Sequence, residues 1–259
     1  MKWFTVIFML LYLANPVWAL TPEERGLELA KEMDRRDNGF GDFVAEMEMI
    51  LRNKQGEESK RRIRSKTLEV LNDGDKSLVS FDDPADVKGT VFLSYTHATK
   101  ADEQWLFLPA LKRVKRIASQ NKSGPFMGSE FAYEDITSQE VDKYTYKFLR
   151  EEASDDRQAF VMERYPAYEN SGYTRQVVWL DKERYQPLKI EFYDRKGALL
   201  KTTTFTAYQQ YANQYWRAGN MHVVNHLSGK STQLIWSNYR FKTGLNPRDF
   251  DQNSLQRAE

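Results

Sequence analysis

The chain has 259 residues, no cysteine and a formal net charge of +1. The absence of cysteine excludes a disulfide framework and thiol chemistry, and the near-neutral charge gives no electrostatic basis for binding nucleic acid. Aromatic residues make up 14% of the chain and charged residues 29%, a combination typical of strands with one apolar and one solvated face.

The first residues have the pattern of a secretory signal peptide. Met1-Lys2 supplies a positive start, 3–13 is an apolar run, and 15–19 is a cleavage region with small residues at −3 and −1. A retained membrane anchor is the alternative, but the apolar run is about half the ~20 residues that a span needs. We expect cleavage after Ala19, which would leave 20–259 as one exported domain. Because the chain has no cysteine, we expect the bacterial periplasm rather than eukaryotic secretion.

An amphipathic helix is predicted over residues 22–36. Thr21 stands at the N-cap, Pro22 at the first helical position, and Glu24 completes a capping box. An apolar stripe at helical spacing follows, formed by Leu27, Leu29, Ala30 and Met33.

From residue 42 onward the apolar residues recur with a period of two, which indicates β-strands. Turn sequences such as Asn72-Asp73-Gly74-Asp75 separate the strands, and the short connections indicate an antiparallel meander. The predicted strands are 42–52, 60–71, 76–81, 89–96, 103–109, 112–117, 143–151, 158–165, 175–181, 187–193, 198–209, 214–226 and 231–241.

A flat sheet of about a dozen strands would curl or close. We therefore predict a mainly β fold, an open antiparallel barrel or half-barrel of about 11–12 strands, with apolar side chains on its concave face. Residues 22–36 and 121–138 are the material available to cover the mouth, and we expect both to be helical.

Residues 103–135 contain an unusual loop. An apolar run ending at Leu111 passes into a basic cluster, and a tract with the apolar tip 125–128 follows. Since a surface loop is normally polar, its apolar side chains are expected to cover a cavity or to meet an apolar ligand or a membrane. The basic cluster is either a solvated face or a contact for anionic headgroups or an acidic partner. It consists of Lys112, Arg113, Lys115 and Arg116.

Catalytic chemistry finds little support in the sequence. There is no cysteine and no G-x-S-x-G motif. His222 and His226 could share a face of one strand, but no third ligand stands at a recognisable spacing. We interpret these two residues as ordinary surface or core histidines, and we expect neither a metal nor a cofactor. An enzyme acting on envelope lipids is the least supported reading.

The apolar strand positions have two interpretations. They fill a core, as in small barrels, or they line a pocket for an acyl chain, to which methionine and aromatic side chains adapt well. The candidate cavity residues are Phe43, Met47, Met49, Leu93, Tyr95, Trp105, Phe107, Tyr146, Phe148, Ile190 and Phe192. The candidate lid residues are Leu29, Met33, Phe126, Met127 and Phe131.

Several segments resemble a family of periplasmic outer-membrane lipoprotein-sorting proteins, relatives of the LolA and LolB carriers. The most specific are 104–117, 126–131 and Glu134-Asp135. Further similar segments are 178–182, 187–189, Tyr193-Asp194, Gly197, Leu200-Lys201, 232–234, Phe250 and Leu255. The resemblance implies an open antiparallel β-barrel with a helical lid over a lipid-binding concavity. It also implies lipid or lipoprotein handling between the two membranes, often in association with RND-type exporters.

The leading hypothesis is a monomeric, non-enzymatic periplasmic carrier that shields acyl chains in a hydrophobic groove. The alternative is an interaction or sensor module that takes a peptide or partner protein in the same groove. A fully packed interior would favour the module, and an apolar cavity would favour the carrier.

Overall fold

The computed structural model describes residues 19–257 of the chain, so the predicted signal peptide lies outside the described residues except for Ala19. Helix α1 spans Pro22–Asp37 and begins with the predicted capping box. The Thr21 hydroxyl accepts from the Glu24 amide, and the Glu24 carboxylate accepts from the Thr21 amide at 2.8 Å. The predicted helix is confirmed, with its end one residue further along the chain.

Fifteen strands follow within the described residues. They are β1 Asp42–Arg52, β2 Glu58–Leu68, β3 Lys76–Asp83, β4 Val91–Tyr95, β5 Glu103–Leu108, β6 Arg113–Arg116, β7 Tyr144–Ser154, β8 Arg157–Pro166, β9 Tyr173–Asp181, β10 Pro187–Asp194, β11 Leu199–Thr206, β12 Gln209–Tyr211, β13 Tyr215–Arg217, β14 Asn220–Asn225 and β15 Ser231–Phe241.

Thirteen of these strands form one antiparallel sheet, and β12 pairs with β13 in a separate hairpin. The sheet therefore has more strands than the predicted 11–12. The predicted strands 198–209 and 214–226 are each divided in two, because the chain leaves the sheet at Ala207, which has a positive φ of 54°, and re-enters it at β14.

The sheet is open, with β6 at one edge and β7 at the other, in the order β6-β5-β4-β3-β2-β1-β15-β14-β11-β10-β9-β8-β7. The chain therefore has to cross the whole sheet between these two strands. We call residues 117–143, which make this crossing, the inner segment. It contains short 3₁₀ turns at Ser119–Asn121, Phe126–Gly128 and Val141–Lys143.

The prediction that 121–138 forms a lid helix is wrong. Pro125 lacks an amide donor, and both Met127 and Gly128 have left-handed backbone conformations, with φ of 49° and 76°. The tip of the loop instead packs against the concave face of the sheet: Phe126 is 0% exposed, and its ring centre lies 5.2 Å from that of Phe92. The apolar tip thus completes a core.

Both faces of the sheet are covered. On the concave face, α1 packs over β7 to β10 through Leu29 and Ala30, and the inner segment packs over β1 to β5. On the opposite face, Phe250 and Leu255 from the C-terminal turns cover β3, β4 and β5. Within residues 19–257, no helix is both long enough and apolar enough to cross a membrane.

Candidate functional site

A cavity of about 720 Å³ remains on the concave face, where α1, the inner segment and strands β8 to β11 do not fill the space between them. This volume is within the range of pockets that bury small-molecule ligands. Its apolar lining consists chiefly of Met33, Phe40, Phe131, Met162, Val178, Ile190, Phe192, Phe205 and Met221.

Carboxylates are concentrated around the same cavity. They are Asp34, Asp37, Glu69, Asp73, Asp75, Asp135, Glu140 and Asp142. Three of them have a cationic or potentially cationic partner: Arg217 pairs with Asp37, His97 lies 2.7 Å from Asp73, and Lys201 lies 2.5 Å from Asp135. Glu69 accepts hydrogen bonds from the backbone amides of Gly39 and Gly41.

Burial raises the pKa of three of the other carboxylates, Asp75, Glu140 and Asp34. Burial, together with the charges of Glu140 and other neighbours, raises the pKa of Asp75 to about 7, although the Ser138 hydroxyl donates to it at 2.7 Å. The carboxylates at this end of the cavity therefore repel one another, and a positive charge placed among them would be stabilised.

Of the described residues that line the cavity, Arg164 alone has a side-chain cation. It lies on β8 and is 6% exposed. Its Nε donates to the Gln176 side-chain oxygen at 2.6 Å, and its guanidinium lies 4.8 Å from the centre of the Tyr144 ring. Arg164 forms no ion pair with any carboxylate of residues 19–257.

Four of the predicted site residues lie at the cavity. Ile190 and Phe192 from β10 line its wall, and Met33 and Phe131 line it from α1 and the inner segment. Their role in binding a lipid stays a prediction. All four lie on the concave face, as the period of two along β10 and the helical stripe of α1 indicate.

The prediction is wrong for Leu93, Tyr95, Trp105 and Phe107. They pack on the opposite face of the sheet, under the C-terminal turns, where the Tyr95 hydroxyl donates to the Phe250 carbonyl. Strands β4 and β5 are apolar on both faces, so alternation alone does not distinguish the face that lines the cavity.

The other predicted cavity residues are already covered within the protein. Met47 and Met49 are buried in the cluster that contains Phe126, and Tyr146 and Phe148 lie in the cluster beneath α1. Phe43 packs against Phe40 at one end of the cavity, with ring centres 5.5 Å apart. These predicted groove positions are therefore occupied by the protein's own packing rather than open to a ligand.

The remaining predicted lid residues serve as anchors. Leu29 and Phe126 are buried, and Met127 is partly buried against the same core. The basic cluster is exposed on β6 and the turn before it, where Arg116 pairs with Glu103 at 2.9 Å. Its contact with headgroups or a partner stays a prediction.

Arg164 and the eight carboxylates around the cavity, which we call the acidic rim, were not predicted from the sequence. Arg164 could have been found, because it shares a strand face with Phe160 and Met162 at a period of two, and an arginine on an apolar face is informative. The rim comes from separate segments that only the fold brings together. Among residues 19–257, no group of three or more His, Cys, Asp or Glu is arranged to hold a metal ion.

Comparison with known proteins identifies the family. The chain is 58% identical to an outer-membrane lipoprotein-sorting protein domain from Vibrio parahaemolyticus, over 90% of this chain and 99% of the other, with a TM-score of 0.89. The chain belongs to the outer-membrane lipoprotein-sorting protein family. A DUF1329 family protein from Desulfovibrio piger is similarly close, at 31% identity over 91% of this chain and 100% of the other, with a TM-score of 0.86.

The family shares its fold with a wider superfamily. A LolA superfamily protein from Nitrosomonas europaea is 21% identical over 91% of this chain and 99% of the other, with a TM-score of 0.71. The open, mainly β sheet of this chain is thus a LolA-like fold. A family model described as "-like: Uncharacterized protein" matches residues 73–257. No curated protein matches the chain.

Proposed function

We propose that this lipoprotein-sorting family member is a non-enzymatic periplasmic carrier, which shields the acyl chains of a lipid or lipoprotein during transfer between the inner and outer membranes. An RND-type exporter of the inner membrane is the proposed source of cargo. The observation that carries the proposal is the apolar cavity of about 720 Å³ on the concave face. The LolA-like fold and the lipoprotein-sorting relatives support it.

Affinity for an acyl chain needs no specific polar chemistry. Burying one methylene group contributes about 0.8 kcal/mol, so a chain of about a dozen methylenes would supply roughly 10 kcal/mol before entropic costs. The lining offers methionine side chains from three separate elements, Met33, Met162 and Met221. Methionine adapts to irregular apolar shapes, so the cavity is suited to acyl chains of differing length.

Loading and release require a cover to move. Helix α1 and the inner segment both lie over the concave face, and each contributes apolar and acidic side chains to the cavity wall, among them Met33 and Phe131. In this proposal either element moves outward to admit the chain, and the exposed basic cluster on β6 contacts the membrane or the exporter.

The test is native mass spectrometry and lipid extraction on the protein purified from the periplasm, with two matched variants. Ile190→Trp fills the cavity from β10, whereas Ile235→Trp makes the same change at a position that is 39% exposed on β15. We expect co-purified lipid in the unmodified protein and in Ile235→Trp, and much less in Ile190→Trp. Absence of lipid from all three, together with no binding of a fluorescent fatty acid, would contradict a carrier.

A further inference from the structure

Arg164 is a buried cation whose neighbours do not neutralise it. Its Nε is satisfied by Gln176, but within residues 19–257 its two Nη atoms have no hydrogen-bond acceptor and no carboxylate. These atoms are not sealed inside the protein. Since the Arg164 side chain is nearly buried and lines the cavity, we infer that its Nη atoms face the cavity.

An uncompensated buried charge is costly, and a cation of this kind is normally paired. The guanidinium presents its N–H groups as a rigid fork that fits the two oxygens of a phosphate or carboxylate. The hydrogen bond to Gln176 and the contact with the Tyr144 ring restrict the orientation of this fork. The missing partner is therefore an anionic oxygen group that arrives with the ligand.

The acidic rim restricts which anion can enter. Asp34 on α1, and Glu140 and Asp142 on the inner segment, line the cavity but form no ion pair with a cation of residues 19–257. A ligand with a net negative headgroup would be repelled by them. A ligand that places a cation beyond its anionic group would instead be stabilised at both positions.

We propose that the cavity recognises a zwitterionic headgroup, with its phosphate held by Arg164 and its ammonium group among Asp34, Glu140 and Asp142. This inference rests on the proposed carrier function and specifies its cargo, an acyl amphiphile whose phosphate lies next to an ammonium group. Zwitterionic amphiphiles bind, and amphiphiles with a net negative headgroup are disfavoured.

The experiment measures binding of three single-chain amphiphiles of equal chain length: a lysophosphoethanolamine, a lysophosphoglycerol and an alkyl maltoside. We expect the zwitterionic compound to bind at least about tenfold more tightly than the maltoside, since a charge-assisted hydrogen bond to the phosphate is worth about 1.5–3 kcal/mol. We also expect it to bind more tightly than the lysophosphoglycerol, because its ammonium group is attracted by the carboxylates that repel a net negative headgroup. In Arg164→Gln this advantage over the maltoside should disappear.

The matched control is Arg175→Gln on β9, whose side chain lies 2.7 Å from Glu163 in an ion pair outside the cavity lining. It should bind all three compounds as the unmodified protein does. A second variant, Asp34→Asn with Asp142→Asn, changes the rim without touching the buried face of the sheet. It should weaken the zwitterionic compound and strengthen the anionic one, and it tests the proposal even if Arg164→Gln fails to fold.

The outcomes distinguish failure of the carrier function from failure of headgroup recognition. If none of the three amphiphiles binds, the carrier function itself is contradicted. If all three bind equally and neither variant changes their order, acyl binding stands and headgroup recognition is overturned. Tighter binding of the lysophosphoglycerol than of the lysophosphoethanolamine would also overturn it.

Discussion

Arg61 of β2 donates from Nη1 to the carbonyl oxygen of Met127 at 2.5 Å, and this bond ties the inner segment to the sheet next to its buried apolar tip. Burial lowers the pKa of Arg61, and its Nε is buried without a partner among residues 19–257. Arg61 therefore ties a segment without regular secondary structure to the sheet, at the expense of its own solvation.

Arg61→Met should loosen the inner segment with little loss of overall stability, because it removes one tie and one poorly solvated cation together. We expect faster amide hydrogen exchange in residues 126–131 and a small change in melting temperature. The control is Arg64→Met on the same strand, which breaks an exposed pair with Asp82 at 2.7 Å and should leave exchange in 126–131 unchanged. Equal protection in the two variants would contradict the tie.

Phe126→Ala should destabilise the protein by roughly 3–5 kcal/mol, the usual cost of truncating a buried phenylalanine. Its ring contacts those of Phe81, Phe92 and Tyr133, with centres 5.2–6.0 Å apart. Met127→Ala, at a partly exposed neighbour, should cost much less. Urea denaturation followed by tryptophan fluorescence measures both, and equal losses would mean that the tip does not complete the core.

Gly26→Ala should lift α1 from the sheet. A Cβ at this position would lie 2.9 Å from the backbone nitrogens of Lys147 and Phe148 on β7, which cannot move aside. The clash should outweigh the helix propensity gained, about 1 kcal/mol, for a net destabilisation of roughly 1–2 kcal/mol. Glu28→Ala elsewhere on α1 is the control in thermal denaturation, and a stabilised Gly26→Ala would show that the helix does not pack so closely.

Asp75→Asn should change how stability depends on pH. The pKa of Asp75 is raised from 3.8 to about 7 by burial, so between these values the folded protein keeps a proton that the unfolded chain releases. Stability attributable to this carboxyl is therefore complete below about pH 4 and falls as the pH rises to 7, by at most about 4 kcal/mol.

The Asp75→Asn variant should accordingly gain stability over the unmodified protein at pH 8 and gain little at pH 4. Urea denaturation at the two pH values measures this difference. Asp156→Asn in the turn between β7 and β8 serves as the control, and a gain independent of pH would contradict the assignment to Asp75.

Local pattern was sufficient for most of the fold. The capping box at Thr21 and Glu24 located α1, and the period of two located the strands because one face of each is buried. It was insufficient where tertiary position decides. Trp105 and Phe107 are apolar like the residues of the cavity wall, but they lie on the opposite face of the sheet, where the C-terminal turns pack against them. Residues 121–138 were interpreted as helical, although Pro125 and Gly128 argued for a coil.

The candidate site was predicted only in its apolar part. Ile190 and Phe192 belong to a strand with clear alternation, so their inward orientation follows from the sequence. Arg164 is buried beside Tyr144 through pairing across three strands, and the rim carboxylates come from α1, the β2–β3 turn and the inner segment. No local pattern encodes such a meeting.

The crossing of residues 117–143 between the two edge strands has a mechanical consequence. A single stretch of backbone joins the two edge strands of the open sheet, β6 and β7. Fully extended, this stretch would reach about 90 Å, so the folded segment could lengthen if it were released. Burial of Phe126 in the core and the Lys201–Asp135 ion pair hold it in its folded conformation. Bending the sheet outward for a bulkier cargo would therefore require these contacts to break, which couples the curvature of the sheet to the side-chain contacts of the inner segment.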